Sequence, residues 1–384
     1  MKFKFLLMTA LLLAFNVKAE QSNNNNDTVQ TPALSAEDYV LYDYNSKQIL
    51  VSQNPHTRNE PASLTKLMTA YLTFQALKLN KFLLSSRIIP STQALQYQRS
   101  EPRMFLTRTK AVSIAELLHG LITASANDAA RVLAETIAIN EDGFSSLMNN
   151  EASRLGMIDT HFVNSTGMPN PLHYSSALDL ALLSAALVAD FPEYISYFSQ
   201  REFEYNHVKF YNSNRLLWMD PYVDGMMTGH TEDSGYGLVS TAKRKNHRLI
   251  SVVLGSTTDH LRSSESQRLL NHGFLHFETY YLYKKNEPII SIRLWKGTEN
   301  TVKVGIRNGL TLTLPKEQRA MLKATIETQQ PLLAPIADGQ NVGRLILSLG
   351  GKPYLEFPLV ALEPVPLVNI FSRGIDSIRM IFSR

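Results

Sequence analysis

Residues 60–72 read EPASLTKLMTAYL. Pro61 favours a break, so Ser63 falls at the start of a helical run with Lys66 one turn on. Residues three apart share a helix face, and the hydroxyl and the amine can meet. A serine becomes a nucleophile only with a base beside it, and an amine desolvated at a helix start can serve. The pattern alone proves little, since ordinary composition yields roughly one or two Ser-x-x-Lys per chain of this length. A second copy indeed stands at Ser240–Lys243, in a strand-like run where residues three apart face opposite ways. That copy is a decoy.

Two further stretches give the first copy its company. LITASANDAARVLAE holds Ser125-Ala126-Asn127 at the junction of two apolar helical runs, where either polar residue could also cap the helix beginning near Asp128. Residues 223–237, VDGMMTGHTEDSGYG, put Thr228-Gly229 on a strand edge, the kind of place where a ligand approaches backbone closely. Met226 and Met227 lead into that edge, where a charged residue would be expected to greet a polar ligand.

In order and separation, SLTK, SAN and MTG resemble the three signatures of the penicillin-recognising active-site-serine enzymes. NSTGMPNP, YSSALDLALLSAAL and NRLLW narrow the resemblance to low-molecular-mass penicillin-binding proteins, the D-alanyl-D-alanine carboxypeptidases, over about residues 36–276. The resemblance implies an α/β (α+β) fold: a penicillin-binding, serine β-lactamase-like domain with an antiparallel sheet flanked by helices. It also implies roles. Ser63 would attack the D-Ala–D-Ala carbonyl, Lys66 would take its proton, and Ser125 would relay a proton to the leaving D-alanine. Asn127 would hold Lys66 and the substrate amide. The N–H groups of Ser63 and His230 would form the oxyanion hole, and Thr228-Gly229 with Arg262 would receive the terminal carboxylate. No metal or organic cofactor is implied. The partners implied are the peptidoglycan stem peptide and β-lactam antibiotics.

One position departs from the pattern. The family's third signature is Lys-Thr-Gly, and Met227 stands where its lysine would be. Two nearby ammoniums disfavour each other's protonation, so losing one is expected to raise the pKa of Lys66 and weaken it as a base. Arg262 can take up part of the carboxylate role but not the proton role, because arginine stays charged. The expectation is a weakened carboxypeptidase; the alternative is a non-catalytic relative that binds peptidoglycan or partners at the membrane surface.

The remaining chain sets the context. At 384 residues, two domains are expected, and 44% hydrophobic with 19% charged residues describes ordinary globular material. The absence of cysteine excludes disulfides, thiolate catalysis and Cys-based metal sites. Residues 1–19 have the basic start, apolar run and small residues of a signal peptide, and the Asn-rich 20–35 is a flexible leader. The protein is therefore expected on the periplasmic side of the cytoplasmic membrane. The peptidase domain is expected over 36–283, with a hairpin bending at residues 44–46, helices over 63–79, 114–139, 177–187 and 265–281, and strands over 201–256. Short alternating runs over 284–363 predict an all-β, sandwich-like C-terminal domain. Beyond the Pro-rich hinge, residues 364–384 place apolar side chains on one helical face and arginines elsewhere, as a membrane-surface helix does.

Other constellations read as structure. The basic run Lys243–Arg248 lacks interleaved aromatics and is a hairpin turn, so no nucleic-acid partner is expected. Glu202 and Asn206 have a β-lactamase-like spacing, but Phe203 and Tyr205 alternate with Glu202 and Glu204 as in a half-exposed strand. His272 and His276 have metal-ligand spacing amid aromatic residues that indicate a packed helix.

Overall fold

The hairpin forms as expected: β1 (Asp38–Asp43) pairs antiparallel with β2 (Gln48–Gln53). In this computed structural model, which describes residues 31–96, 98 and 101–369, three later strands complete the sheet. They are β3 (Val223–Thr231), β4 (Gly235–Arg244) and β5 (His247–Ser256), and the order β2-β1-β5-β4-β3 is antiparallel throughout. Ser240 of the decoy motif lies on β4 with its hydroxyl donating to the Gly225 carbonyl.

Helices surround one of their own number. In α1 (Lys66–Lys78) only Gln75 and Lys78 escape burial, so this helix is core on every side. Around it stand α2 (Ile114–Ile122), α3 (Asn127–Ala138), α4 (Glu141–Leu155) and α5 (Ala177–Asp190), with α6 (Asp259–His276) against β4 and β5. A capping box of Ser113 with Glu116 starts α2, and Ser176 caps α5. The expected 114–139 stretch is two helices: Ser125, at φ +51°, turns the chain between them.

One helix was not anticipated, and two expectations need correcting. EDGFSSLMNNEASRL, too polar to stand out by periodicity, is α4, capped by Asn140 and ended by Gly156 at φ +78°. The last helix starts at Asp259 under a Thr258 cap and stops at His276. FETYYLY, rich in aromatics, is instead a strand, Phe277–Tyr283. LTLTLP, read with the C-terminal domain, pairs with that strand.

The chain accordingly divides into two compact units, one of residues 31–285 with 308–319, the other holding 286–307 and 320–369. The second is a β domain whose six-stranded sheet runs 322–328, 341–349, 352–361, 301–305, 288–295, 332–333. Its core gathers Ile292, Val302, Val304, Leu332, Val342 and Leu359.

The weaker constellations resolve simply. Glu202–Tyr205 and Val208–Tyr211 form a hairpin, with Asn206 and His207 at its turn. Arg244 and Arg248 of the basic run pair with Asp220 and Asp224. His272 packs edge-on against Phe277. The helix expected over 364–384 is corrected at its start, where Val365 and Leu367 form β-bridges with Ile336 and Gly297; its remainder, the signal peptide and most of the leader lie outside the described residues. Among the described residues, no helix is long and apolar enough to cross a membrane.

Candidate active site

Ser63 sits in a short 3-10 turn, Ala62–Thr65, which runs directly into α1. Two glycines clamp that turn. A Cβ on Gly167 would fall 1.7 Å from the Ala62 carbonyl oxygen, and one on Gly229 would fall 2.8 Å from that of Pro61. Ala62 itself holds φ +48°, a strained value for a residue with a side chain, kept there by this packing. The Thr228-Gly229 edge of β3 therefore lies against the serine turn because residue 229 has no side chain to hold them apart.

Lys66 Nζ donates to Ser63 Oγ at 2.9 Å and to the Thr166 carbonyl at 2.9 Å. Thr166, rather than the expected Asn127, is the lysine's second partner. Its loop, NSTGMPNP, is shaped by Asn164, whose Oδ1 accepts from the N–H groups of Thr166, Gly167 and Met168. On the other side of the turn, His173 accepts from Val163 N–H at Nδ1, so its Nε2–H donates to Thr65 Oγ1 at 2.7 Å. Burial, with the charge of His161, brings His173 down to about 4, and it is neutral at physiological pH.

Lys66 has no exposed surface. That burial, reinforced by the Arg131 charge and opposed by Glu101 and Asp128, brings its ammonium down to about 7. Desolvation is the largest influence on Lys66, and Met227 brings no charge to it. Met227, 2% exposed on β3, belongs to the same apolar core as Leu64, Leu67 and Met68.

Ser125 and Asn127 occupy the α2–α3 break. Ser125 Oγ and Asn127 Oδ1 are buried and hydrogen-bond to no protein group, whereas Asn127 Nδ2 donates to Glu101 Oε2 at 3.0 Å. Arg131, one turn further along α3, meets the same oxygen at 2.5 Å. Burial would raise Glu101, but hydrogen bonds from Gln98 N–H, Asn127 and Arg131 outweigh it and keep the carboxyl below its usual range.

At the Thr228-Gly229 edge, His230 is exposed and stacks on Tyr236 at 3.9 Å. Arg262 is buried on α6, donating to the Gly229 carbonyl at 2.9 Å and to Asp259 at 2.5 Å. Asp259 is shared, since Arg215 reaches its other oxygen at 2.5 Å and stays more than half exposed. Two guanidiniums thus share one carboxylate. Sequence reasoning assigned no role to Thr166, Glu101, Arg131 or Arg215. The density of turn residues around Thr166 and the one-turn spacing from Asn127 to Arg131 were the available signals; nothing local marked Glu101.

A family profile described as D-alanyl-D-alanine carboxypeptidase matches residues 25–258, and one described as penicillin-binding protein 5, C-terminal domain, matches 277–367. The D-alanyl-D-alanine carboxypeptidase DacC of Escherichia coli is 38% identical over 361 residues, 92% of this chain and 90% of that protein. The crystal structure of penicillin binding protein 5 from Haemophilus influenzae superposes with a TM-score of 0.85 at 38% identity, covering 88% of this chain and 99% of its own. Penicillin-binding protein D2 of Listeria monocytogenes, in its cefotaxime-bound form, gives a TM-score of 0.59 at 31% identity over 64% of this chain and 99% of its own.

Proposed function

The chain belongs to the D-alanyl-D-alanine carboxypeptidase family, and from that premise we propose how its own residues carry the reaction. It is a serine-type D-Ala-D-Ala carboxypeptidase. Neutral Lys66 takes the Ser63 proton as Oγ bonds to the carbonyl carbon of the penultimate D-alanine. The tetrahedral oxyanion is received by the N–H groups of Ser63 and His230, an arrangement worth about 3–4 kcal/mol per donor where it has been dissected. Ser125 passes a proton to the departing D-alanine nitrogen, and Asn127 Oδ1 accepts from the substrate amide. Thr228 and the Arg262–Arg215 pair hold the terminal carboxylate. Water then attacks the acyl-enzyme, releases the shortened stem peptide and returns the proton to Ser63. The observation that carries this reading is the 2.9 Å Lys66–Ser63 contact around a lysine brought to about 7.

β-Lactams would be trapped at the acyl stage, as the drug-bound relative suggests. Export, and attachment to the membrane surface through residues 364–384, rest on the sequence pattern alone. One observation, Met227 in place of a cation, favours a second reading in which the site binds stem peptides without turning them over. The deciding measurement is intact mass after incubation with benzylpenicillin, with Ser63→Ala as control. An adduct absent from the control supports catalysis; no adduct on folded protein leaves the binding reading.

A further inference from the structure

Arg131 does work that the reaction as described leaves unassigned. Asn127 and Arg131 stand one turn apart on one face of α3, and both converge on Glu101 Oε2. The Glu101 side chain is only 4% exposed and that of Arg131 17%. Arg131 and Thr166 line one cavity of about 270 Å³, and the Thr166 carbonyl is the group that holds Lys66 Nζ.

The charges around Lys66 are few. From α3 come Arg131 and Asp128, and from the segment before α2 comes Glu101. The 164–168 loop offers only a carbonyl, and Glu141 of α4, bordering it, is engaged by Ser165 N–H. His173 beside the serine turn is neutral at physiological pH. β3 presents Met226, Met227 and Thr228, none charged. Asp128 is held by the N–H groups of Met104 and Leu106. Two carboxylates thus favour the ammonium form of Lys66, and Arg131 opposes them.

We propose that Arg131, clamped by Glu101, is a positioning residue for the Ser63–Lys66 pair: it supplies from α3 the positive charge that Met227 withholds from β3. Its guanidinium neutralises Glu101 and disfavours a proton on Lys66, while Glu101 in turn fixes the Asn127 amide with Oδ1 free to accept. The inference rests on Lys66 acting as the base.

The test is the pH profile of Ser63 acylation by benzylpenicillin in the full chain. Acylation requires neutral Lys66, so its acid limb follows the lysine. Arg131→Gln leaves Glu101 unpaired and should move that limb up by about one pH unit. Glu101→Gln leaves the cation unpaired and should move it down. Loss of a merely structural salt bridge would move both variants the same way or neither, and that result overturns the inference. Arg131→Lys should keep the wild-type profile, which guards against misfolding as the cause. Adding Met227→Lys to Arg131→Gln should bring the limb back down; failure to do so also overturns it. Absence of any adduct on wild-type protein is a different failure, that of the catalytic reading, and the inference falls with it.

Discussion

Lys66 illustrates at the residue scale how a catalytic requirement works against stability. Below about pH 7 the folded protein must hold a buried ammonium, at full cost. Between about 7 and the lysine's ordinary 10.5, the unfolded chain keeps a proton that the folded one has lost, so stability climbs with pH. Lys66→Met removes that cost and should melt higher than wild type at pH 6, with the gap closing by pH 10; an equal or lower melting point at pH 6 would sink the argument. Met227 supports the opposite substitution. A lysine there restores a charge-assisted contact to the substrate carboxylate, typically about 1.5–3 kcal/mol, or roughly ten- to a hundredfold in rate if felt in the transition state. Met227→Lys should therefore raise D-alanine release from a D-Ala-D-Ala peptide by that order, and a flat rate would show that the methionine is not what limits this enzyme. Ser63, Lys66, Ser125 and Asn127 were all legible in sequence as candidates because each sits in a short motif with fixed spacing. Glu101 was not, because its importance arises only when a loop folds over the start of α3.

At the scale of elements, the serine turn depends on what presses against it. Gly167 at φ +82° and Gly229 let a loop and a strand meet the turn from two sides. Gly167→Ala would put a carbon inside the Ala62 carbonyl and force the turn, and with it Ser63 Oγ, out of line with Lys66. A displacement near 1 Å costs on the order of a hundredfold in rate. Acylation by benzylpenicillin should fall by that much; acylation at the wild-type rate would mean the contact does not set the geometry. Elements with a strong period, such as α5 and the β1–β2 hairpin, were readable directly. α4 was not, because its inward side is carried by Phe144, Met148 and Ala152 within an otherwise polar run. Phe277–Tyr283 was misread because its aromatic residues suit a packed helix and a strand equally, and its partner strand is supplied only by LTLTLP further along the chain.

Across the whole chain, distant segments of the peptidase unit are joined by contacts that no local pattern announces. Asp43, fully buried at the end of β1, accepts at one oxygen from His247, Thr279 and Thr313, and at the other from the N–H groups of Asn45 and Ser46. It thereby ties strand 310–315 into the unit that also contains the hairpin, the sheet and α6. Burial would raise its pKa, but the His247, Ser46 and Thr279 hydrogen bonds outweigh that and hold the carboxyl below its ordinary value. A depressed carboxylate contributes stability that is full above the unfolded pKa and is lost as pH falls through the folded one. Asp43→Ala leaves four donors and His247 without this acceptor, and breaking a buried pair in this way costs about 3–5 kcal/mol. The variant should melt well below wild type at pH 7, and the difference should shrink as acid protonates Asp43 in the wild-type protein. A difference that stays constant from neutral pH into acid would mean that lost packing, not the Asp43 charge, is responsible. The same carboxylate shows that a boundary drawn from composition near residue 284 marks only the chain's first departure from the unit. The chain leaves the peptidase unit there, but Thr313 brings a strand of it back.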